Sequence, residues 1–283
     1  YFFGRQLHQE LGVPVGLIQS TYSGTPVELW EPAEVLESDP EMKVASTKIK
    51  DVTYRPNIPG MIYNAMIYPI SNYTIAGTIW YQGEGNTARA STYQKMFTGM
   101  IGAWRKQFAQ DFPFYFVQIA PYTYEFPYEG ALLMEQQSRS LSYPKTGMVV
   151  ITNLHPQNKL DIGLRLASLA LGDTYKKQIG VYKSPVFKSM TKSKKSISLY
   201  FDHAPNGFMV KGDSKPTEFL IAGADKNFMP AEVEILSDRI VVSNANISDP
   251  MAVRFSFSNT GTANIFNKEG YPITPFRTDN WEV

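Results

Sequence analysis

Residues 75–119 read IAGTIWYQGEGNTARASTYQKMFTGMIGAWRKQFAQDFPFYFVQI. The stretch opens with an apolar, β-branched run at Ile75–Trp80 and closes with a second apolar run at Phe114–Ile119, both typical of buried strands. Between them, Ser91–Phe108 predicts an amphipathic helix. Its apolar stripe consists of Tyr93, Met96, Phe97, Met100, Ile101 and Trp104. A strand, a helix and a second strand in this order predict a parallel β-α-β unit.

The same alternation continues on either side of this unit. Upstream, residues 1–11 predict a helix, and the short apolar run at residues 13–18 predicts a buried strand. Downstream, the pattern predicts a helix at Gly130–Leu141, a strand at Met148–Ile151 and a helix from about residue 159 to residue 175. Strands that alternate with helices predict an α/β domain, in which a mostly parallel sheet carries helices on both faces.

The pattern changes after about residue 180. Short β-type runs are separated there by Gly, Pro, Asn and Asp, without helical spacing. The predicted strands are Ser196–Phe201, Phe219–Ile221, Val233–Ile235, Ile240–Ser243 and Ala252–Phe257. The sequence therefore predicts an α/β domain over residues 1–178 and a β-rich, sandwich-like module over residues 179–283. Within the first domain, residues 38–60 are rich in Lys, Asp and Pro and are predicted to form a surface excursion.

Composition excludes several classes of protein. The chain has 27 Lys and Arg against 26 Asp and Glu, so its formal net charge of +1 lacks the basic excess that nucleic-acid binding requires. It has no cysteine, which excludes disulfides, zinc–thiolate sites and cysteine nucleophiles. Its longest apolar runs, such as Met148–Ile151, fall far short of the roughly 18 residues needed to span a bilayer. We therefore predict neither a nucleic-acid partner nor a membrane span.

One of the three histidines stands where a catalytic base is expected. His155 follows the predicted strand Met148–Ile151 and precedes a long helix, at the strand end where α/β proteins bind ligands. The alternative for His155 is a structural role at the helix entry. His8 and His203 are predicted to be structural, since one lies among polar residues of a helix and the other ends a β-type run. His155 has no second histidine at metal-ligand spacing, so no metal site is predicted.

Two further loops follow predicted strands. In Trp80–Asn86 two glycines allow a tight turn, and Gln82, Glu84 and Asn86 supply polar groups to one cleft. An amide there is placed to donate to a developing oxyanion, although such a turn is equally compatible with a purely structural role. In the loop after Ile18, Gly24 would bring a backbone N–H close to a ligand; taken alone, it is an ordinary loop.

Together these loops resemble one known family. The motifs occur in the family's order along nearly the whole chain: 16–18, 23–30, 63–67, 80–86, 104–105, 117–121, 155–159, 222–225 and 275–279. The most specific are Trp80-Tyr81-Gln82-Gly83-Glu84 and His155-Pro156-Gln157-Asn158-Lys159. They resemble the sialate O-acetylesterases, which are SGNH, or GDSL-type, hydrolases. The resemblance implies an SGNH-type, three-layer, doubly wound parallel sheet with a β-rich C-terminal region.

The resemblance also implies a reaction, ester hydrolysis by a serine nucleophile. His155 would take the hydroxyl proton and return it to the leaving alcohol. The oxyanion hole would consist of the Gly24 backbone N–H and a side-chain amide, from either Gln82 or Asn86. Glu84 would order its loop or contact the substrate. The implied substrate is an O-acetylated sugar or glycan, with acetylated sialic acid and acetylated xylan both open.

The resemblance implies no cofactor, and it implies secretion to the periplasm or out of the cell. Residues 38–60 and the aromatic-rich segment 121–130 would line the sugar site, the latter through Tyr122, Tyr124 and Phe126.

The sequence departs from the family pattern at three places. The family's Gly-Gln-Ser-Asn-type nucleophile motif is not present, so we expect the first strand, the nucleophile loop and any signal peptide upstream of Tyr1. A chain without that serine would be inactive. Asn153 stands two residues before His155, where the family usually has an aspartate that orients the ring. Met134 stands where an arginine is expected.

Other assignments stay open at this point. The departures at the serine and at Asn153 motivate a non-catalytic carbohydrate-binding or structural relative. A different hydrolase would pair Ser20 or Ser23 with His155. Ser214 in Gly212-Asp213-Ser214 is rejected as a nucleophile because it follows His155 and lies in the β-rich region.

Overall fold

The structure, a computed structural model, describes residues 1–152, 158–212 and 215–283. These residues form two compact units. The first contains Tyr1–Ile119, Leu132–Val149 and Asn158–Lys177. The second contains Ala120–Ala131, the described part of Val150–Gln157, and Gln178–Val283. The three loop positions at Gly24, Gln82 and Asn86 all belong to the first unit.

A parallel sheet is the base of the first unit. Its strands are β1 (Thr78–Tyr81), β2 (Phe114–Val117) and β3 (Thr146–Val149), with β2 in the middle. All four residues of β2 are buried, as is usual for a parallel strand covered on both faces. The three strands lie within a few residues of their predicted positions, and the predicted α/β class is confirmed.

Six helices are described up to residue 169. They are α1 (Phe2–Leu11), α2 (Ala33–Glu37), α3 (Pro40–Ser46), α4 (Tyr93–Gln107), α5 (Glu129–Arg139) and α6 (Leu160–Leu169). Short 3-10 or π-helical turns lie at Val27–Leu29, Tyr63–Ile67, Tyr68–Ile70, Glu84–Thr92, Ser140–Ser142 and Ala170–Thr174. The four helices predicted from the sequence correspond to α1, α4, α5 and α6. The predicted apolar stripe of α4 is buried throughout.

An aromatic cluster fixes β1 against α4. The ring of Trp80 packs edge-on against Trp30 and Trp104, with centroids 5.4 and 5.8 Å away, and stacks on Phe97 at 6.3 Å. The indole N–H of Trp104 also donates to the backbone carbonyl of Trp30 at 2.8 Å. Aromatic pairs of this kind contribute beyond their buried area. The cluster therefore holds the end of β1, where the Gly-rich turn begins.

The strand predicted at residues 13–18 is wrong. Among the described residues this run pairs with no strand, and Val13, Leu17 and Ile18 are about half exposed. A Cβ built on Gly4 of α1 would lie 2.9 Å from a methyl group of Leu17. The run therefore packs partly on α1 instead of entering the sheet, so its apolar character reflects a contact with a helix.

Residues 38–60 are only in part the surface excursion that their composition predicts. Asp39 caps α3, since its Oδ1 accepts the backbone N–H groups of Glu41 and Met42, each at 3.0 Å. Met42 and Ala45 of this helix are buried. One face of α3 is therefore buried, while its other face and much of the stretch after it are exposed.

The second unit is β-rich, as predicted. Its strands are β4 (Val186–Lys192), β5 (Ser196–Asp202), β6 (Phe208–Val210), β7 (Phe219–Ala222), β8 (Met229–Pro230), β9 (Glu232–Ile235), β10 (Ile240–Ser243), β11 (Ala252–Phe255), β12 (Ile265–Asn267) and β13 (Phe276–Arg277). They form antiparallel sheets in the orders β4-β5-β10-β9, β13-β11-β7-β8 and β12-β6. The five strands predicted from the sequence correspond to β5, β7, β9, β10 and β11. The predicted boundary between residues 178 and 179 stays a prediction.

The second unit contains an apolar core and a buried ion pair. Ile197, Ile221 and Val242 are fully buried in a single cluster. Arg254 donates to both carboxylate oxygens of Asp279, at 3.0 and 2.8 Å, and both side chains are almost fully buried. Such a two-point contact is geometrically specific, so it fixes the backbone around both residues.

Candidate active site

The Gly-rich turn after β1 requires its glycines. Gly83 has a φ of 156°, and a Cβ at this position would lie 2.5 Å from a methyl carbon of Ile119. A Cβ on Gly85 would lie 3.1 Å from the backbone nitrogen of Pro26. The turn therefore packs closely against the loop that carries Gly24, and the two loops predicted to form the site do meet.

The side chain of Gln82 is held in one orientation. Its Nε2 donates to the backbone carbonyl of Thr25 at 3.0 Å and to Oδ1 of Asn86 at 2.8 Å. Its Oε1 accepts from the hydroxyl of Tyr93 at 3.1 Å. The backbone carbonyl of Gln82 accepts from Nε2 of Gln137 at 3.1 Å. These partners direct the amide N–H groups towards the loop of Gly24.

Tyr93 prevents the side-chain amide of Gln82 from flipping. Burial raises the pKa of this fully buried phenol well above its usual value, with smaller opposing effects of hydrogen bonds. The hydroxyl therefore keeps its proton at neutral pH and donates to Gln82. Because only the amide oxygen accepts a hydrogen bond, Oε1 faces Tyr93 and Nε2 faces Thr25.

Asn86 lies beneath Gln82 and is only 1% exposed. Its Oδ1 accepts from Gln82 and from the backbone N–H of Val27 at 2.9 Å. Its Nδ2 donates to Oε2 of Glu28 at 2.8 Å. Asn86 therefore joins the turn to the loop from the inside.

A buried ion pair that the sequence analysis did not single out completes the network. Glu28 is fully buried, and its Oε1 accepts from Nε and Nη2 of Arg89 at 3.2 and 3.1 Å. Arg89 also donates to the backbone carbonyls of Lys48 and Gly85, each at 3.4 Å. Glu28 follows Gly24 by four residues and Arg89 follows Asn86 by three, but neither spacing predicts that the two side chains meet.

Gly24 itself lies on an exposed loop with left-handed backbone geometry, at a φ of 69°. The next residue anchors this loop, since the hydroxyl of Thr25 donates to the carbonyl of Tyr22 at 2.7 Å and accepts from the indole of Trp30 at 2.9 Å. A positive φ costs a glycine little. Gly24 and Gln82 are thus brought to neighbouring positions.

The other predicted site residues are placed as follows. Glu84 is exposed, and its backbone carbonyl accepts from the hydroxyl of Thr87 at 3.3 Å. Its negative charge, after burial, contributes to raising the pKa of Tyr81 to about 12. The ammonium group of Lys159 lies 5.1 Å from the Tyr81 ring. His155 and Asn153 lie outside the described residues, so their roles stay predictions.

The structure describes some of the serines and histidines considered as alternatives. Ser23 is exposed, whereas Oγ of Ser20 is buried and has no hydrogen-bond partner among the described residues. Ser214 of the rejected motif lies outside the described residues. His8 is exposed on α1, with Nδ1 2.7 Å from the carbonyl of Val13, and His203 is exposed at the end of β5.

Where the arginine was expected, Met134 is buried in α5. The nearby Gln137 is fully buried and connects two strand ends, because its Oε1 accepts from the backbone N–H of Ile119 at 2.9 Å while its Nε2 donates to Gln82. Support for the turn therefore comes from an amide on α5.

The described residues contain neither a metal-binding cluster nor a membrane-spanning helix. In those parts of the chain no group of three or more His, Asp or Glu side chains is arranged to hold a metal ion. No helix within the same ranges has the length and apolar character needed to cross a membrane.

Comparison with known proteins gives the family. A family model described as "carbohydrate esterase, sialic acid-specific acetylesterase" matches residues 1–179. The sialate O-acetylesterase of Rattus norvegicus is 26% identical over 315 residues, which cover 91% of this chain and 58% of the rat protein. That of Homo sapiens is 36% identical over 129 residues, covering 42% of this chain and 24% of the human protein.

The fold gives the same answer. The crystal structure of a carbohydrate acetylesterase from Xanthomonas citri matches with a TM-score of 0.87 and 35% identity, over 99% of this chain and 65% of that chain. The chain spans less than two thirds of each of these relatives. The resemblance read from the motifs is confirmed: the chain belongs to the carbohydrate esterase family of the sialic acid-specific acetylesterases.

Proposed function

We propose that this protein acts as a carbohydrate O-acetylesterase, in which the Gly24 backbone N–H and the Gln82 side chain stabilise the oxyanion and His155 is the general base. The family membership supports the reaction class. The observation that carries the assignment of the oxyanion donors is the fixed orientation of Gln82, whose Nε2 lies 3.0 Å from the carbonyl of Thr25, next to Gly24.

Gln82 is favoured over Asn86 as the side-chain donor. Asn86 is 1% exposed, and hydrogen bonds hold both ends of its amide inside the protein. Gln82 is only half-buried. An oxyanion would compete with the neutral carbonyl of Thr25 for one N–H of Gln82, and it would prevail because hydrogen bonds to a charged acceptor are about twice as strong.

The proposed reaction has two halves. A serine hydroxyl attacks the acetyl carbonyl carbon while His155 takes its proton, and the negative charge forms on the carbonyl oxygen. Collapse breaks the bond to the sugar oxygen, which receives the proton from His155 and leaves as an alcohol. Water then attacks the acetyl-serine with the same base, releasing acetate and restoring the serine.

The proposed substrate is an O-acetylated sugar, and we also propose secretion or a periplasmic location. The names of the rat and human relatives support a sialate ester, and that of the Xanthomonas citri protein supports carbohydrate esters more generally. All of these relatives carry the names of esterases, so none of them supports the non-catalytic alternative. Fractionation of the source cells with an antibody against this chain tests the location.

Hydrolysis of 4-nitrophenyl acetate tests the proposed function. The chain of residues 1–283 is compared with a version that carries further residues before Tyr1, each with and without His155→Ala. Turnover by either form that His155→Ala abolishes supports the proposal. If only the longer form is active, the serine lies before Tyr1; if both are active, Ser20→Ala and Ser23→Ala identify the nucleophile. Activity of neither form, or activity that survives His155→Ala, contradicts it.

A further inference from the structure

We propose that the segment Ser46–Pro59 forms a sugar-binding subsite beside Gly24, in which the ring of Tyr54 stacks on a pyranose ring. We call it the Tyr54 subsite. The inference rests on the proposed function, because it takes Gly24 as the place where the acetyl ester binds. It adds the group that holds the sugar carrying this ester.

The ring of Tyr54 lies directly beside Gly24. A Cβ built on Gly24 would lie 3.6 Å from Cε2 and 3.7 Å from the hydroxyl oxygen of Tyr54. Gly24 has no side chain, so nothing of its own separates its backbone from the ring. An ester whose oxygen accepts from the Gly24 N–H would therefore bring its alcohol portion within reach of Tyr54.

The ring of Tyr54 is exposed, although hydrogen bonds hold the backbone of its segment. Tyr54 is 69% exposed, so its ring is open to a ligand. The hydroxyl of Tyr22 donates to the backbone carbonyl of Tyr54 at 3.3 Å. Arg89 donates to the carbonyl of Lys48 at 3.4 Å. The segment is thus tied at two points to residues of the candidate site, and a fixed platform loses little conformational freedom on binding.

The same segment lines a largely open surface pocket of about 360 Å³, of which Tyr54 is not a lining residue. Its lining residues are Ser46, Thr47, Ile49, Asn57, Ile58 and Pro59. Three of these carry polar side chains and three are apolar. Nδ2 of Asn57 donates to Asp51 at 2.8 Å, which leaves the amide oxygen of Asn57 as an acceptor.

A pyranose fits this combination chemically. Its ring presents C–H groups on its faces and hydroxyl groups around its rim. The C–H face is slightly positive and packs on the negative face of an aromatic ring, here Tyr54. The hydroxyl rim would meet the polar side chains of the cavity, including Asn57. The subsite therefore selects for the sugar ring and leaves the chemistry of the acetyl group to Gly24 and Gln82.

Binding of sugars to the chain of residues 1–283 tests the subsite without requiring turnover. The probes are acetylated xylotriose and the methyl glycoside of 9-O-acetyl-N-acetylneuraminic acid, with Kd measured by NMR titration. We expect Tyr54→Ala to weaken binding of at least one probe about five- to tenfold. Tyr54→Phe keeps the ring and should retain affinity, and Asn57→Ala should weaken binding of the same probe. Tyr73→Ala, which removes another exposed tyrosine (63%), should leave Kd unchanged.

The subsite and the proposed function fail separately. Thermal melting first verifies that Tyr54→Ala folds as the parent does. If sugar binding depends on Tyr54 but neither the chain of residues 1–283 nor the longer form hydrolyses 4-nitrophenyl acetate, the esterase proposal fails and the sugar-binding role of Tyr54 stands. If 4-nitrophenyl acetate is hydrolysed and Tyr54→Ala binds both sugars as well as the parent, the subsite is wrong. Failure of both probes to bind the parent chain also overturns it.

Discussion

Nδ2 of Asn86 donates to Oε2 of Glu28 at 2.8 Å, and both side chains are at most 1% exposed. Asn86 follows Gln82 by four residues, and Glu28 follows Gly24 by four. The pair therefore connects the two loops on their buried side. The exposed residues of these loops would contact the proposed oxyanion. Arg89 neutralises the carboxylate at its other oxygen. This division separates Gly24 and Gln82, which would contact the substrate, from Asn86, Glu28 and Arg89, which position them.

Removing Glu28 should destabilise the protein strongly. Glu28→Ala leaves the largely buried guanidinium of Arg89 without its partner, and breaking a buried pair in this way costs about 3–5 kcal/mol. Urea denaturation gives the free energy of unfolding. The matched control is Glu37→Ala, which removes an exposed carboxylate on α2 and should change it little.

A second variant distinguishes the effect of an unpaired buried charge from that of lost packing. Glu28→Gln with Arg89→Met removes both charges, so it should be more stable than Glu28→Ala. If the double variant is no better than Glu28→Ala, the loss comes from packing around residue 28, and the account of a compensated buried charge is wrong.

Gln82 and Asn86 should differ in what their loss affects. Gln82→Ala removes the proposed oxyanion donor, and loss of one such donor lowers kcat about 10²- to 10³-fold. Asn86→Ala removes the partners of the buried backbone N–H of Val27 and of Oε2 of Glu28, so it should lower the unfolding free energy by about 2 kcal/mol or more. Both are measured on the form that hydrolyses 4-nitrophenyl acetate.

One result would contradict the role proposed for Gln82. A Gln82→Ala variant within about fivefold of the parent in kcat would remove Gln82 from the oxyanion hole, since a true donor costs far more. Asn86 would then need to be reconsidered, although it is buried.

Tyr93→Phe should loosen the orientation of Gln82 without removing any group that contacts substrate. The variant loses the hydrogen bond to Oε1, which is worth about 1 kcal/mol, and the amide is then free to turn. We expect kcat to fall while KM changes little. The control is Tyr115→Phe on β2, which loses a hydroxyl contact of 2.7 Å with Thr174 and should leave kcat unchanged. Equal effects of the two variants would contradict the role given to Tyr93.

Periodicity predicted the elements that have a strong pattern. The stripe of α4 repeats at helical spacing from Tyr93 to Trp104, and β2 is wholly apolar, so both appear at their predicted places. The run at 13–18 is equally apolar, yet Leu17 lies against Gly4 of α1. A short apolar run predicts that the segment is partly buried. It does not predict whether the segment packs in a sheet or against a helix, because tertiary structure decides that.

The loop residues of the candidate site were predictable from the sequence, whereas the buried residues that support them were not. Gly24, Gln82 and Asn86 stand in recognisable loops after strands, but nothing local to Glu28 or Arg89 indicates that they meet across 61 positions of sequence. The same holds for Tyr93, which appears in the sequence as one more apolar member of a helix. Its hydroxyl orients the amide only because β1 and α4 pack together.

Glu31 lies at a place where a carboxylate is unfavourable. It is fully buried, and neither carboxyl oxygen has a hydrogen-bond partner among the described residues. A Cβ on Gly99 of α4 would lie 2.5 Å from Oε1, so the carboxyl group is pressed against the helix. Burial, and then the negative charge of Glu28, raises the pKa of Glu31 to about 9. The native protein therefore holds a proton at neutral pH that the unfolded chain releases.

Stability should fall as the pH rises because of this one group. Between the ordinary glutamate pKa of 4.5 and the native value of about 9, the unfolded state binds fewer protons than the native state, so the unfolding free energy decreases by about 1.4 kcal/mol per pH unit. Glu31→Gln is neutral in both states and should lose this slope: it resembles the parent near pH 5 and exceeds it near pH 8.5. Urea denaturation across this range measures the slope, with Glu37→Gln as the exposed control. Parallel slopes for Glu31→Gln and the parent would show that Glu31 is ionised in the folded protein, and that an unassigned cation or donor accompanies it.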